Sequence, residues 1–265
     1  MEWKISKLTN ISYSYLVEWQ LCPWYYKIVH IDGIKDYEST PFVYWGTLLH
    51  RYLPLALKYQ NSENDKLYTI QLKKIWTRFC KFYKLDVEHW TDGGSKAIET
   101  IVEKFKKEFG NFEVLAIEER LELPNGGEWP QNFKGFIDVI IKTESGKIII
   151  IDFKTCNSHF MFNKFRDKYK DYQLTLYKKF YCIKHNLDPK DIETYFVTIE
   201  RRKKAKEPLE LTRVSGGSVK LNNASEWLET ALRAINRETW LHKRSSCFKF
   251  GEDHPCSFYK SEYCK

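Results

Sequence analysis

Four consecutive isoleucines, Ile148–Ile151, are the feature that most constrains the fold of this chain. A continuous β-branched run is typical of a strand that is buried on both faces, at the centre of a sheet. The run continues directly into Asp152-Phe153-Lys154-Thr155. Because residues i and i+2 of a strand share a face, the Asp152 carboxylate and the Lys154 ammonium are expected to point the same way. The sequence therefore predicts paired charges at the end of a central strand.

Periodic apolar residues predict the elements around that strand. Ser12 is placed to cap the first helix, Pro54 to kink or divide the second, and Gly110 to end the fourth. Residues 143–146 are suited to a hairpin loop. The order of elements predicts an α/β fold in which a mixed sheet is flanked by helices. Helices are expected over 13–29, 42–59, 67–83, 96–109, 167–185 and 224–242, and strands over 113–123, 133–142, 147–153, 192–200 and 209–214.

The composition favours a single domain with one large core. The chain has 265 residues, of which 43% are hydrophobic, so general disorder is not expected. Three portions are predicted within that domain. They are a helical portion over 1–110, an α/β core over 111–214 that carries the charged strand, and a region over 215–265. The last comprises a helix and a cysteine-containing tail that packs on the N-terminal helix.

The balance of charges favours a polyanionic partner. Lys and Arg number 43 against 35 Asp and Glu, a formal net charge of +8. No stretch approaches the roughly 20 apolar residues that a membrane helix needs, so no membrane association is expected. The first ten residues lack the apolar core and cleavage pattern of a secretion signal. A cytoplasmic location is therefore expected, with thiols kept reduced.

A second carboxylate, Asp138, lies on the strand before the isoleucine run, within reach across the hairpin. Two carboxylates are the oxygen ligands that Mg²⁺ or Mn²⁺ prefers, and the Phe153 carbonyl offers another oxygen. Such a metal polarises a phosphoryl oxygen and acidifies a bound water, and Lys154 is suited to stabilise charge on a phosphate. Taken alone, an Asp-x-Lys tripeptide is more simply a salt bridge at a strand end.

Three further features favour a site over a salt bridge. Gln173 and Tyr177 are four residues apart on the next helix, so both can face the sheet edge and contact a phosphate or a base. His50 follows Gly46 by about one helical turn, where the glycine would permit close backbone approach and the imidazole could complete a metal shell. Basic residues flank this region and are suited to phosphate contacts, although such runs are usually only solvated surface. They are Lys164, Arg166, Lys168, Lys170, Arg201, Arg202, Lys203, Lys204 and Lys206.

The ordered set of motifs resembles the RecB-like branch of the PD-(D/E)XK nuclease superfamily, over about residues 46–177. Ile137 stands where the superfamily name has proline, but a glycine three residues before the aspartate is the usual RecB-like form. The matching residues are His50, Gly135-x-x-Asp138, Asp152-x-Lys154-Thr155 and Gln173-x-x-x-Tyr177.

This resemblance implies a restriction-endonuclease-like core and assigns roles to the residues. It implies that His50, Asp138 and Asp152 bind metal and that Lys154 is the catalytic lysine. It also implies that the Gln-x-x-x-Tyr pair forms an accessory motif facing DNA. One of the two adjacent glutamates at positions 118 and 119, on the preceding strand, is expected near the site.

Seven cysteines are unevenly distributed, with three in the last nineteen residues. The odd count and the missing secretion signal argue against a disulfide framework. Cys22, Cys247, Cys256 and Cys264 are expected to pin the tail to the first helix through a metal, either a [4Fe–4S] cluster or a structural zinc. His242 and His254 keep a mixed Cys/His zinc site open. The others, Cys80, Cys156 and Cys182, are interpreted as small core residues.

One early cysteine before a proline and three late cysteines resemble the iron–sulfur subset of RecB-like nucleases. That subset includes CRISPR-associated exonucleases and AddB-type nucleases, and often has tighter spacing of the final cysteines. The resemblance implies a structural [4Fe–4S] cluster beside the catalytic core.

The leading hypothesis is a Mg²⁺- or Mn²⁺-dependent deoxyribonuclease acting on DNA ends, free or single-stranded, in recombination, repair or CRISPR-type adaptation. Proteins of those processes would be its partners. One alternative is a non-catalytic DNA-binding or scaffold subunit with a metal-stapled fold. Another is a redox or regulatory iron–sulfur protein.

Overall fold

The isoleucine run lies at the centre of a mixed sheet in the computed structural model of the protein, which describes residues 8–34, 40–202, 207–248 and 255–264. None of the four isoleucines is more than 9% exposed. Their strand, β4 (Ile148–Cys156), is flanked by β3 (Asn132–Thr143), which is antiparallel to it, and by β5 (Ile192–Glu200), which is parallel. The predicted central position of this strand is confirmed.

Three more strands complete the sheet in the described part of the chain. β1 (Asn10–Ser12) pairs with β3 in parallel, and β6 (Leu209–Val214) is antiparallel to β5. The order is β1-β3-β4-β5-β6, and β2 (Phe112–Pro124) also pairs with β3. Parallel and antiparallel pairs occur in one sheet, so the predicted mixed α/β architecture is confirmed.

The described residues also form eight α-helices. They are α1 (Tyr13–Leu21), α2 (Pro23–Tyr26), α3 (Pro41–Tyr59), α4 (Ser62–Tyr83), α5 (Trp90–Phe109), α6 (His159–Lys164), α7 (Lys168–His185) and α8 (Ser218–Asn236). Among these residues, no helix has both the length and the apolar character that crossing a membrane requires.

The chain divides into two compact units. The larger unit comprises Ser39–Glu119 and Phe136–Gly217. The smaller unit comprises Met1–Glu38, Arg120–Gly135 and Ser218–Lys265. The sequence-based division of a single domain at residues 110 and 214 stays a prediction.

Two faces of the sheet are covered in the larger unit. Val197 of β5 belongs to the apolar core that α3, α4 and α5 form with the sheet. The next residue back, Phe196, instead contacts Phe162 of α6, with 5.7 Å between ring centroids. Neighbouring residues of a strand point to opposite faces, so α6 covers the face opposite to α3–α5.

Aromatic packing holds the three-helix side of the larger unit together. Trp76 stacks on Trp90 with 5.4 Å between ring centroids and lies 4.9 Å from Trp45. Gly94 of α5 permits this packing, because a Cβ atom there would lie 2.7 Å from Trp45 and 2.9 Å from Leu72. Sequence patterns do not reveal this glycine's role, since the close approach comes from a distant helix.

The first helix is shorter than predicted. Ser12 caps it as expected, because its Oγ accepts a hydrogen bond from the Tyr15 amide at 3.3 Å. The predicted continuous helix over 13–29 is wrong, since Cys22 has an extended backbone that ends α1, and α2 begins anew at Pro23. Proline cannot donate the amide hydrogen bond that a continuing helix needs, but it fits the first position of a new helix.

Other boundaries also differ from the predictions. The helix predicted over 224–242 runs six residues earlier, over Ser218–Asn236, and closes where Glu238 adopts a left-handed conformation with φ 51°. Pro54 does not divide α3, which continues through it. The three residues of β1 and the six of α6 were not predicted, because such short elements show no periodicity. α4 and α5 begin five and six residues before their predicted starts.

Candidate active site

The β3–β4 ladder ends next to the two predicted carboxylates. Its last paired residues are Val139 and Ile151. Beyond this pair, the Phe153 amide donates a hydrogen bond to Asp138 Oδ2 at 2.7 Å. A side-chain carboxylate is therefore the hydrogen-bond acceptor for this strand amide. Asp138 is 7% exposed and Phe153 is fully buried. The hairpin thus holds the Asp138 side chain at the place where the isoleucine strand ends. A metal contact through the Phe153 carbonyl stays a prediction.

His50 approaches Asp138 from α3, with 3.3 Å between His50 Nδ1 and Asp138 Oδ2. The predicted reason for Gly46 is not borne out, because a Cβ there would meet Thr155 Oγ1 at 3.8 Å, an ordinary contact. Pro54 lies one turn after His50 in α3. Because proline has no amide hydrogen, it cannot donate the helical hydrogen bond to the His50 carbonyl.

Glu118 completes a group of three potential metal ligands. Ligand atoms of His50, Glu118 and Asp138 all lie within 4.8 Å of one another, the one such group among the described residues. Glu118 has φ 53°, a left-handed conformation that is uncommon outside glycine and that re-aims its side chain within β2. Glu119 is instead ion-paired with Lys184 at 2.6 Å and His185 at 3.2 Å. Of the two glutamates considered from sequence, the structure therefore places Glu118 beside the site.

Asp152 lies at the centre of a second set of contacts. Its Oδ2 is 2.7 Å from Lys154 Nζ, and its Oδ1 accepts a hydrogen bond from Gln173 Nε2 at 2.8 Å. Gln173 Nε2 also lies 3.3 Å from the Tyr177 hydroxyl. Gln173 and Tyr177 are each 6% exposed, and Lys154 keeps a more accessible side chain at 30%. The Gln-x-x-x-Tyr pair therefore orients Asp152 in this structure, and its contact with DNA stays a prediction.

The site concentrates negative charge in a poorly solvated place. Burial raises the pKa of Asp152 to about 6, with Asp138 raising it and Lys154 lowering it. Burial and the charge of Asp138 also raise the pKa of Glu118. Burial lowers the pKa of His50, but its hydrogen bond and attraction to Asp138 outweigh this, so the net direction is upward. Carboxyl groups that are costly to ionise, next to an imidazole, are suited to binding a divalent cation, because its positive charge would stabilise their ionised form.

A pH-dependent stability follows for the metal-free protein. A carboxyl whose folded pKa exceeds its unfolded value destabilises the fold as pH rises through the two values, here from about 4 to about 6. Above that window, Asp152→Asn is expected to raise the free energy of unfolding by roughly 1–3 kcal/mol, since the amide resembles the neutral acid.

Thermal unfolding of both proteins in EDTA at pH 4 and pH 8 measures this difference. The variant should gain midpoint temperature over the wild type at pH 8 and lose most of that gain at pH 4. An equal difference at both pH values would show that Asp152 is not held as a strained carboxylate.

The basic residues predicted from sequence have separate surroundings. The Arg201 guanidinium lies 4.4 Å from the Phe42 ring centroid and 5.1 Å from that of Trp90. Arg202 pairs with Glu200. The predicted Lys203, Lys204 and Lys206 lie outside the described residues, and the group from 164 to 170 surrounds α6 and the start of α7.

The four predicted metal-binding cysteines gather in the smaller unit. The Lys243 amide donates to Cys22 Sγ at 3.5 Å, and the Cys256 amide donates to the Cys247 carbonyl at 2.7 Å. Burial raises the pKa of Cys247, and the nearby sulfurs of Cys256, Cys264 and Cys22 raise it further. The four cysteines, one near the start of the sequence and three near its end, are thus brought close enough for the other three sulfurs to disfavour the thiolate form of Cys247.

Neighbouring aromatic and polar contacts fix the tail beside Cys22. Trp24 Nε1 donates to the Tyr263 carbonyl at 2.8 Å, and the Trp24 ring stacks on His242 at 4.2 Å. His242 Nδ1 is 4.0 Å from Cys264 Sγ, whereas His254 lies outside the described residues. The other three cysteines are buried, as interpreted from the sequence: Cys80, Cys156 and Cys182.

Comparison with known proteins identifies the family. The model of the PD-(D/E)XK nuclease superfamily matches residues 10–262, so the chain belongs to that superfamily. A search of curated proteins finds no match.

One solved structure of clearly similar fold supports the architecture. A crystal structure of a "putative exonuclease" from Eubacterium rectale matches with a TM-score of 0.55 and 12% identity, covering 87% of this chain and 82% of that chain. A structure named SSO0001 covers 83% of this chain and 84% of that chain at 17% identity, with a TM-score of 0.32.

Proposed function

We propose that this nuclease is a divalent-metal-dependent deoxyribonuclease that hydrolyses phosphodiester bonds at DNA ends. The observation that carries the proposal is the group of His50, Glu118 and Asp138, with Asp152 and Lys154 on the adjacent strand end. The carboxylate oxygens of this set are the ligands that Mg²⁺ or Mn²⁺ prefers, and His50 adds one nitrogen donor. When bound, such an ion polarises a phosphoryl oxygen and lowers the pKa of a coordinated water.

The protein's own residues would divide the remaining work. Asp138 and Asp152 supply negative charge for the cation, and His50 presents a nitrogen at the same place. Gln173 fixes one oxygen of Asp152 through its 2.8 Å hydrogen bond, which leaves the other oxygen beside Lys154. The Lys154 ammonium would stabilise negative charge that grows on the phosphate during hydrolysis.

A [4Fe–4S] cluster held by Cys22, Cys247, Cys256 and Cys264 is the second part of the proposal. Four thiolates can hold such a cluster, and the resemblance to the iron–sulfur RecB-like subset supports it. Structural zinc is the alternative.

Action at DNA ends is proposed from the iron–sulfur RecB-like resemblance, together with the "putative exonuclease" name of the protein with the similar fold. Free or single-stranded ends generated in recombination, repair or CRISPR-type adaptation are the proposed substrates, in the cytoplasm and with proteins of those processes as partners.

Comparison of linear and circular substrates tests this function. Labelled linear single-stranded DNA and a closed circle of the same sequence are incubated with the protein and Mg²⁺ or Mn²⁺. An end-directed nuclease is expected to release mononucleotides or short fragments from the linear form and to leave the circle intact. Equal cleavage of the circle would contradict action at ends, and binding without any cleavage would favour the non-catalytic DNA-binding alternative.

A further inference from the structure

An exposed group of rings and lysines lies around α6, outside the residues discussed above. Phe160 is 70% exposed and Phe165 is 65% exposed, which is unusual for phenylalanine. The Lys164 ammonium lies between them, 5.9 Å from the Phe160 ring centroid and 5.5 Å from that of Phe165. Lys168, at the start of α7, is also exposed, but its ammonium lies 5.1 Å from the Tyr169 ring centroid. We call Phe160, Lys164 and Phe165 the α6 patch.

The α6 patch is not needed to attach its helix to the sheet. The opposite side of α6 does this through Phe162, which is 8% exposed and contacts the Phe196 ring at 5.7 Å. The Lys170 ammonium lies 4.5 Å from the Phe162 ring centroid, and Arg166 is ion-paired with Asp171 at 3.1 Å. Lys170 and Arg166 therefore stabilise local structure, whereas Lys164 accompanies the exposed rings.

Two contacts link α6 to the proposed catalytic lysine. Lys154 Nζ lies 6.0 Å from the Phe196 ring centroid, and Phe196 is the ring on which α6 packs. Phe160 and Lys164 are each two residues from Phe162, so they lie on the far side of α6 from that contact, further out by about 10 Å, the diameter of a helix with its side chains. A DNA strand that reaches Lys154 needs only a few additional nucleotides to reach the patch.

We propose that the α6 patch binds a segment of single-stranded DNA by stacking bases on Phe160 and Phe165. Every base has a π face, so rings bind them with little sequence preference, and adjacent cations hold the phosphates. Duplex DNA keeps its bases stacked on each other and cannot present them to these rings. The inference rests on the proposed function for its choice of DNA, and it adds a site that selects unpaired strands.

Equilibrium binding without cleavage tests the proposal. Fluorescence anisotropy in EDTA measures the affinity of the full-length protein for a labelled oligothymidylate of about 20 nucleotides and for an abasic strand of the same length. The double variant Phe160→Ser/Phe165→Ser is expected to bind the oligothymidylate at least about 30-fold more weakly, since it removes two stacking surfaces and each stacked base contributes about 1–3 kcal/mol. Its affinity for the abasic strand should change less than twofold.

Three further variants make the result specific. Phe82→Ser removes another phenylalanine, 79% exposed on α4, and should leave both affinities unchanged. Phe160→Trp/Phe165→Trp keeps the stacking surfaces and should bind at least as tightly as the wild type. Lys164→Gln removes a phosphate contact and should lower the affinities for the oligothymidylate and for the abasic strand by a similar factor.

Two results would overturn the proposal. One is unchanged oligothymidylate binding by the serine double variant, which would favour a protein partner as the ligand of the two rings. The other is an equal loss of affinity for both probes. The proposed function fails separately: if the wild type binds oligothymidylate through these rings but cleaves no DNA with Mg²⁺ or Mn²⁺, the patch stands and the nuclease activity does not.

Discussion

Lys154→Ala is expected to slow DNA cleavage by about 10²–10³-fold, the usual effect of removing one group that stabilises charge in a transition state. The Lys154 side chain is 30% exposed beside a buried carboxylate, so it can reach a phosphate without being part of the core. Single-turnover cleavage of labelled linear DNA at saturating Mg²⁺ measures the rate. DNA affinity should change far less than the rate, because the lysine is proposed to act mainly on the transition state.

Lys184→Ala is a matched control for this variant. Lys184 is ion-paired with Glu119 at 2.6 Å and its side chain is 36% exposed, close to the 2.7 Å and 30% of Lys154 with Asp152. Loss of a surface ion pair is expected to alter stability by less than about 1 kcal/mol and to leave the cleavage rate within twofold. Equal rates for wild type and Lys154→Ala would remove this lysine from the mechanism.

Cys247→Ser is expected to abolish the visible absorption of anaerobically purified protein and to lower its melting temperature by about 10 °C or more. Cys247 is buried among the other three proposed ligands, so its loss leaves an incomplete set. Metal binding in such small stapled regions contributes directly to folding, and each kcal/mol corresponds to about 2–4 °C in a protein of this size. Iron and sulfide analysis accompanies the absorption spectrum.

Cys80→Ala provides the comparison, because Cys80 is buried in α4 of the larger unit, away from the four tail-associated cysteines in sequence. It should keep the iron content and the visible absorption of the wild type, whatever small cavity it creates. Zinc in the wild type would favour a structural zinc site over the [4Fe–4S] cluster. A colourless, metal-free wild type that is fully folded would contradict the proposed role of the tail cysteines. A change in cleavage on reduction, without unfolding, would favour a redox-regulatory role.

Local patterns were sufficient to predict the centre of the fold. Ile148–Ile151 required burial on both faces, which placed β4 inside the sheet, and strand periodicity then placed Asp152 and Lys154 on one face. The hairpin brought Asp138 near them. These inferences succeeded because each depends on neighbours in sequence or on one short connection.

Features that depend on distant contacts or on single backbone angles were not predictable in the same way. The choice between Glu118 and Glu119 depends on a left-handed φ at Glu118, for which two adjacent glutamates give no signal. The inward direction of Gln173 depends on the buried Asp152, so the sequence indicated contact with DNA but not this hydrogen bond. Short α6 escaped notice for lack of periodicity, and with it the exposure of its two phenylalanines.

Mn²⁺ binding to the metal-free protein is the most direct test of the proposed metal centre. Electron paramagnetic resonance follows free Mn²⁺ during titration of the wild type, of Asp138→Asn and of Glu119→Gln. Asn can still accept the hydrogen bond from the Phe153 amide, so Asp138→Asn removes mainly the charge. The account predicts that the wild type binds Mn²⁺, that Asp138→Asn binds it at least tenfold more weakly, and that Glu119→Gln stays within twofold. Absence of Mn²⁺ binding by the wild type, or equal affinity in Asp138→Asn, would contradict it.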